Sequence, residues 1–211
     1  DDDGDSDLAV VGEYMSIRTF INDNGKLEPG KSARGSENLS GWWNRIQAAD
    51  LDLDGDVDFV VANHGLNSRF EASQDKPVTL FVSDFDRNGS LEHILQVFNG
   101  DEAYPMVLRH DLLAQIPSLK KKILKYEDYK GKRVPDLFDP EVLAGAIKLE
   151  AYEFRSGVLL NKGDADFEFR SLPIQAQVSP AYAIAVADFD ADGIPDILLG
   201  GNLFGVKPEV G

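Results

Sequence analysis

The chain of 211 residues carries 37 Asp and Glu against 21 Lys and Arg, a formal charge of -16, with 43% hydrophobic residues and no cysteine. That hydrophobic content is typical of a folded chain, and the length allows one sizeable core or one repeat array. The acidic balance argues against nucleic acid as a partner, the lack of cysteine rules out disulfides, and no 18-residue apolar run offers a membrane span.

The charge is uneven. Residues 105–155 hold ten of the Lys and Arg against eight acids, about +2, which leaves the rest of the chain near -18. Much of that excess sits in short loops with the pattern D-x-D-x-[DN]-G-x-x-[DE]. The chain opens inside one copy, with Asp1, Asp3, Gly4, Asp5 and Asp7. A complete copy follows at Asp50, Asp52, Asp54, Gly55, Asp56 and Asp58. A third has Asp84, Asp86, Asn88, Gly89, Ser90 and Glu92, and a fourth has Asp188, Asp190, Asp192, Gly193, Ile194 and Asp196. Side-chain oxygens at positions 1, 3, 5 and 9 and the carbonyl of position 7 (Asp5, Asp56, Ser90 and Ile194) converge on one hard cation, and Gly at position 6 permits the sharp turn. Many flexible oxygens favour Ca2+ over Mg2+. An EF-hand is excluded, because its bidentate Glu at position 12 is replaced by Val61, Leu95 and Leu199 and the flanks are strand-like.

In chain order, each loop runs into an apolar segment: Leu8 to Val11, Phe59 to Ala62, Ile197 to Leu199. Similar segments precede two of them, Ile46 to Ala49 and Tyr182 to Ala187. Unbroken apolar runs predict strands buried on both faces, as in propeller blades. Phe20–Leu27 and Leu159–Phe167 read as second hairpins, each with an Asn and a Gly-containing turn. Asn22 lies 28 residues before Asp50 and Asn161 lies 27 before Asp188, which predicts four strands per blade. Asp1 to Asp52 is 51 residues, a blade period. Asp50 to Asp84 is only 34, so the second blade is expected to lack most of its outer hairpin, with 64–77 as loop. Asp84 to Asp188 is 104, which predicts an insertion in the third blade.

The expected organisation is all-β: a β-propeller segment of about three to four blades, with blades over 1–98 and 153–211 and a mainly helical insertion over 99–152. Both ends look like cuts through a longer array, and no signal peptide is visible. Within the insertion, Leu108, Leu112, Leu113 and Ile116 predict a helix ending at Pro117. A second helix is expected after Ser118, with Leu119, Ile123 and Leu124 on one face and Lys120, Lys121, Lys122 and Lys125 as a basic face, either solvated or docked on an anionic partner. Asp139-Pro140-Glu141 predicts a third helix start.

Of Trp42 and Trp43 at most one is expected to be buried in its strand; the other reads as rim packing, with a sugar-stacking platform as the alternative. His64 reads as a turn residue rather than a catalyst. No nucleophile, Walker or zinc-protease motif is present, so the chain reads as non-enzymatic.

ADLDLDGDVDFVVANHG and VADFDADGIPDILLGGN resemble FG-GAP/VCBS repeats, the integrin-alpha-type calcium-binding β-propeller, over residues 1–98 and 155–211. YPMVLRHDLL, KYEDYKG and NLFGVKPEVG are similar to bacterial relatives of cartilage acidic protein and UnbV. Phe204-Gly205 is present without the Gly-Ala-Pro that completes the family signature. The resemblance implies a secreted or cell-surface protein, in bacteria periplasmic or on the outer surface, that binds an extracellular protein or glycan in an adhesion-like role. No residue matches the integrin ligand site. The alternatives are a non-catalytic scaffold domain of a larger secreted enzyme and a lectin-like glycan receptor that uses Trp42 or Trp43.

Overall fold

A computed structural model describes residues 3–33 and 39–202; Asp1, Phe204 and Gly205 lie outside the described residues. It is mostly β, with 37% strand against 15% helix, as the apolar runs require. The chain divides into two compact units, 1–74 with 151–211, and 75–150.

The first unit begins with β1 (Leu8–Val10), β2 (Glu13–Met15), β3 (Arg18–Asp23) and β4 (Lys26–Pro29), then β5 (Gly41–Trp42), β6 (Arg45–Ala49) and β7 (Asp58–Ala62). β6 and β7 form the hairpin around the Asp50 loop, with Ala49 opposite Asp58. The second unit contains β8 (Val78–Ser83), β9 (Glu92–Asn99), β10 (Glu102–Pro105) and β11 (Ile147–Ala151), and the chain then returns through β12 (Gly157–Asn161), β13 (Phe167–Ser171), β14 (Ala183–Ala187) and β15 (Asp196–Gly200).

Three antiparallel sheets of the first unit behave as successive blades. They are β1-β3-β4, then β13-β12-β7-β6, then β14-β15; β2 and β5 form a small separate pair. Phe59 and Val61 of β7 face a core built with Ile17, Ile21, Leu39, Trp43, Leu159 and Phe167, which joins the first two sheets. Val60 points the opposite way by strand alternation and is also fully buried. β14 also lies against β6 and β7. A strand covered on both faces explains why FVVA is unbroken rather than alternating.

The pairing corrects the expected blade assignment. β12 is hydrogen-bonded to β7, with Leu159 opposite Phe59 and Val158 opposite Val60. The hairpin at Asn161 therefore completes the Asp50 blade, which is not shortened. Equivalent hydrogen bonds mark the equivalence. Asn22 N–H donates to Asp7 Oδ1 at 2.8 Å in the first sheet, and Asn161 N–H donates to Asp58 Oδ1 at 2.7 Å in the second. Asp7 to Asn22 spans 15 residues and Asp58 to Asn161 spans 103, so the extra 88 lie between the two hairpins of one blade.

That segment includes the second unit, a four-stranded sheet in the order β10-β9-β8-β11 with helical turns packed on it. The Asp84 loop joins β8 to β9 and so sits in the insertion, not in the blade series. The boundary expected at residue 98 falls inside β9. Leu112, Leu113 and Ile116 of the helix α1 (Arg109–Gln115) and its C-terminal end pack with Phe85, Ile94, Val134 and Phe138 into a core of this unit's own. The helix expected after Ser118 is only a 3-10 turn, Pro117–Lys121; Leu119 and Ile123 are buried, whereas Leu124 is 72% exposed. α2 (Tyr126–Tyr129), α3 (Val134–Leu137) and α4 (Pro140–Ala144) are each about one turn, and α4 starts at the expected Asp139-Pro140.

The chain leaves and rejoins the first unit through a hydrogen-bonded stem. Gly65 N–H donates to Phe154 O at 2.7 Å, and Asn63 N–H donates to Ser156 Oγ at 2.9 Å. The Asn63 side chain, fully buried, donates to Glu153 O and accepts from the N–H groups of Trp42 and His64. Gln177, also buried, holds the far side by accepting from Ser156 N–H and donating to Ser156 O and Leu172 O.

His64 packs in this stem against Trp42, Phe70 and Phe154, with Nε2 3.0 Å from Ser68 Oγ. Burial lowers its pKa below the usual imidazole value. The unfolded chain therefore takes up a proton first as the pH falls through about 6.5, and His64 costs stability below that point but not above it. In chelator, the melting temperature is expected to fall between pH 7.5 and 5.5, and His64→Phe to flatten that slope; an unchanged slope in the variant overturns the assignment.

Candidate metal centres

The acidic loops share one backbone. Position 4 takes a left-handed conformation in Leu53, Arg87 and Ala191, with φ of 60, 59 and 64°, and the Gly at position 6 does so again, with φ of 96° at Gly55 and 88° at Gly193. A Cβ at Gly55 or Gly193 would meet no atom within 4 Å, so glycine is demanded by the dihedral and not by space. The two left-handed residues fold the loop back on itself and turn its carboxylates inward.

Each position then has a fixed task. The position 5 oxygen accepts the N–H of position 7 in all four loops: Asp3 from Asp5, Asp54 from Asp56, Asn88 from Ser90, and Asp192 from Ile194. Position 1 accepts the glycine N–H, as Asp50 does from Gly55, Asp84 from Gly89 and Asp188 from Gly193. Position 9 accepts the N–H of position 2, in Asp58 from Leu51, Glu92 from Phe85 and Asp196 from Phe189. Glu92, one methylene longer than the Asp elsewhere, fills the same role.

These bonds bring three carboxylates together in each of three loops. Oxygens of Asp50, Asp52 and Asp58 lie within 4.8 Å of one another, as do those of Asp84, Asp86 and Glu92, and those of Asp188, Asp190 and Asp196. Two ligands on opposite sides of one Ca2+ are separated by about 4.6–5.2 Å, so the spread suits that ion. Asp50 Oδ1 and Asp86 Oδ1 are closed off from solvent with no hydrogen-bond partner. A buried carboxylate oxygen left this way is costly. A cation at these two sites would remove the cost, and the donor set, all oxygen, is that of a hard ion. The residues present therefore fit the expected group.

Asp54, Asn88 and Asp192, expected as ligands, each use one side-chain oxygen to accept a loop N–H. In the first loop, Asp5 Oδ2 accepts from Asn24 N–H and Asp7 binds Asn22, and no trio forms there among the described residues. The Asn22 and Asn161 backbone bonds to position 9 were not legible as such, although their constant hairpin context was the signal.

Of the two tryptophans one is buried, as expected, and the other is half-buried among aromatic rings. Trp43 is 2% exposed, and its indole donates to Leu39 O. Trp42 is enclosed by Tyr14, His64, Phe70 and Phe154, with ring centroids 4.7–5.6 Å away. Tyr14 reaches it from a bulged, left-handed position with φ of 56°, and burial pushes its phenol up to about 12.

Stacked antiparallel blades with acidic hairpin loops define an all-β, propeller-type repeat. Residues 1–61 match the family model of the FG-GAP-like repeat, so this part of the chain is an FG-GAP-type repeat, as the resemblance implied. No curated protein and no solved structure matches the chain.

Proposed function

We propose that the chain is a calcium-stabilised, FG-GAP/VCBS-type binding module with an adhesion-like role outside the cell, in which the metal is structural and no reaction is catalysed. The observation that carries this reading is the repeated carboxylate trio with a buried, unpartnered oxygen in two of its copies. Ca2+ would be held by Asp50, Asp52 and Asp58, by Asp84, Asp86 and Glu92, and by Asp188, Asp190 and Asp196. It would supply positive charge that lets each inner hairpin close over three carboxylates. The match over 1–61 supports the repeat itself, and an extracellular protein or glycan as partner is what the resemblance to FG-GAP/VCBS repeats implies.

Calcium titration by calorimetry is expected to find three sites per chain in the millimolar range or tighter, and Asp84→Asn/Asp86→Asn to remove one of them. No binding at 5 mM calcium, or a stoichiometry the double variant leaves intact, would sink the assignment.

A further inference from the structure

The inserted unit carries chemistry opposite to the rest of the chain. Residues 119–133 hold seven Lys and Arg against two acids, a local +5 within a chain of -16. Arg133 is occupied by Glu102 at 3.1 Å and Asp136 at 3.4 Å, and Lys122 lies 3.7 Å from Asp139. Lys130 and Lys132 form no ion pair among the described residues, and both are exposed. They flank a cleft of about 360 Å³ whose other walls include Asn99, Tyr104, Pro105 and Tyr129. No acid lines it.

The walls are set by the fold. Tyr104 and Pro105 end β10, and Asn99 ends its partner β9. Tyr129 is fixed from behind, because its hydroxyl donates to Val107 O at 2.6 Å, and burial pushes that phenol up to about 12, so it stays neutral. Asp128 Oδ2 accepts the N–H groups of Leu124 and Lys125, which pins the turn that leads into Tyr129 and the lysines.

We propose that this cleft binds a carboxylate-bearing sugar ring of an acidic glycan, an inference that takes its partner class from the binding-module reading above. Two phenol rings and a proline offer flat apolar surface to a sugar face, Asn99 offers both a donor and an acceptor to hydroxyls, and two exposed ammonium groups suit a carboxylate. The volume is that of a small-ligand pocket. Beyond about 8 Å, charges are screened at physiological salt, so the local sign decides attraction for a single ring. The net charge of -16 disfavours a long nucleic acid or an anionic membrane, whereas a single ring engages the cleft alone.

The whole chain in 1 mM calcium is titrated by calorimetry with a glucuronate–N-acetylglucosamine tetrasaccharide and with its methyl ester, which keeps the rings and removes the charge. The expected result is binding of the acid with at least tenfold preference over the ester. A loss of tenfold or more is expected in Lys130→Gln/Lys132→Gln and in Tyr104→Ala, with less than twofold change in Lys120→Gln/Lys121→Gln. Equal affinity for acid and ester, no binding of either, or equal loss from the distant lysine pair overturns the proposal. So does equal or tighter binding to phosphatidylserine vesicles or to a single-stranded oligonucleotide of matched charge. Melting curves with and without calcium, run on the same samples, separate the two readings: a calcium shift without glycan binding removes the cleft alone, and glycan binding without a calcium shift removes the metal role alone.

Discussion

Excess chelator is expected to lower the melting temperature of this chain by several degrees relative to 1 mM calcium. Extracellular calcium modules bind with Kd of about 10⁻⁴–10⁻³ M, which at 1 mM ion adds roughly 0.4–1.4 kcal/mol per site. Three sites give about 1–4 kcal/mol, and a chain of this size shifts by about 2–4 °C per kcal/mol, so the total is roughly 2–16 °C. The contributions should be unequal. Asp58 and Glu92 are 0% and 4% exposed, and in their loops the unpartnered oxygens of Asp50 and Asp86 are buried, whereas the Asp188 loop is open to solvent. Asp50→Asn should therefore remove more of the calcium-dependent shift than Asp188→Asn. Superimposable melts in calcium and chelator would falsify the structural role of the metal.

Asn63→Ala should be among the most damaging single changes, at about 3 kcal/mol or more. It strips partners from the buried N–H groups of Trp42 and His64 and from Glu153 O, and each buried polar group left unpaired costs about 1–3 kcal/mol. The same change opens the stem from which the second unit departs. Denaturant unfolding followed by tryptophan fluorescence, which reports on Trp42 and Trp43 in the first unit, should show the midpoint falling. A loss below about 1 kcal/mol would mean that Ser156 and Gln177 hold the stem without the Asn63 side chain.

The sequence carried the local chemistry well. A loop of fixed pattern with strand flanks specifies its own turn, so the trios at Asp50, Asp84 and Asp188 were legible residue by residue. The blade order was not, because reading spacing as order assumes that consecutive hairpins pair. β8 and β9 copy the blade hairpin, loop included, and so stood in for a blade. The pairing of β7 with β12, Phe59 opposite Leu159, and the Asn161–Asp58 bond show which outer hairpin belongs to which loop. Burial of one tryptophan of the pair was legible, since Trp43 is buried and Trp42 only half-buried, but the aromatic ring of neighbours around Trp42 was hidden for a similar reason. Its neighbours Tyr14, Phe70 and Phe154 come from three distant segments, and period-two reasoning counts only one strand. The Tyr104–Lys132 cleft had a faint signal, the KYEDYKGK run, which reads as a solvated basic stretch until β9 and β10 are seen to wall it.

The position of the insertion has a consequence for how the chain reaches its native state. In the first sheet the two hairpins are joined through seven residues, 11–17; in the second, 94 residues, 63–156, separate β7 from β12. Closing the longer loop as a flexible chain costs about 2 kcal/mol more in entropy, by the logarithm of the length ratio. If the inserted unit folds first on its own core, it arrives as a short bridge and that cost disappears. The β6–β7 hairpin then waits, with one edge bare, until the insertion is complete, and residues emerging late in synthesis finish a sheet begun a hundred residues earlier. Folding should be limited by the inserted unit. Destabilising its core at Ile94 or Leu112 should slow formation of the β7–β12 pairing, although both residues belong to the inserted unit's own core.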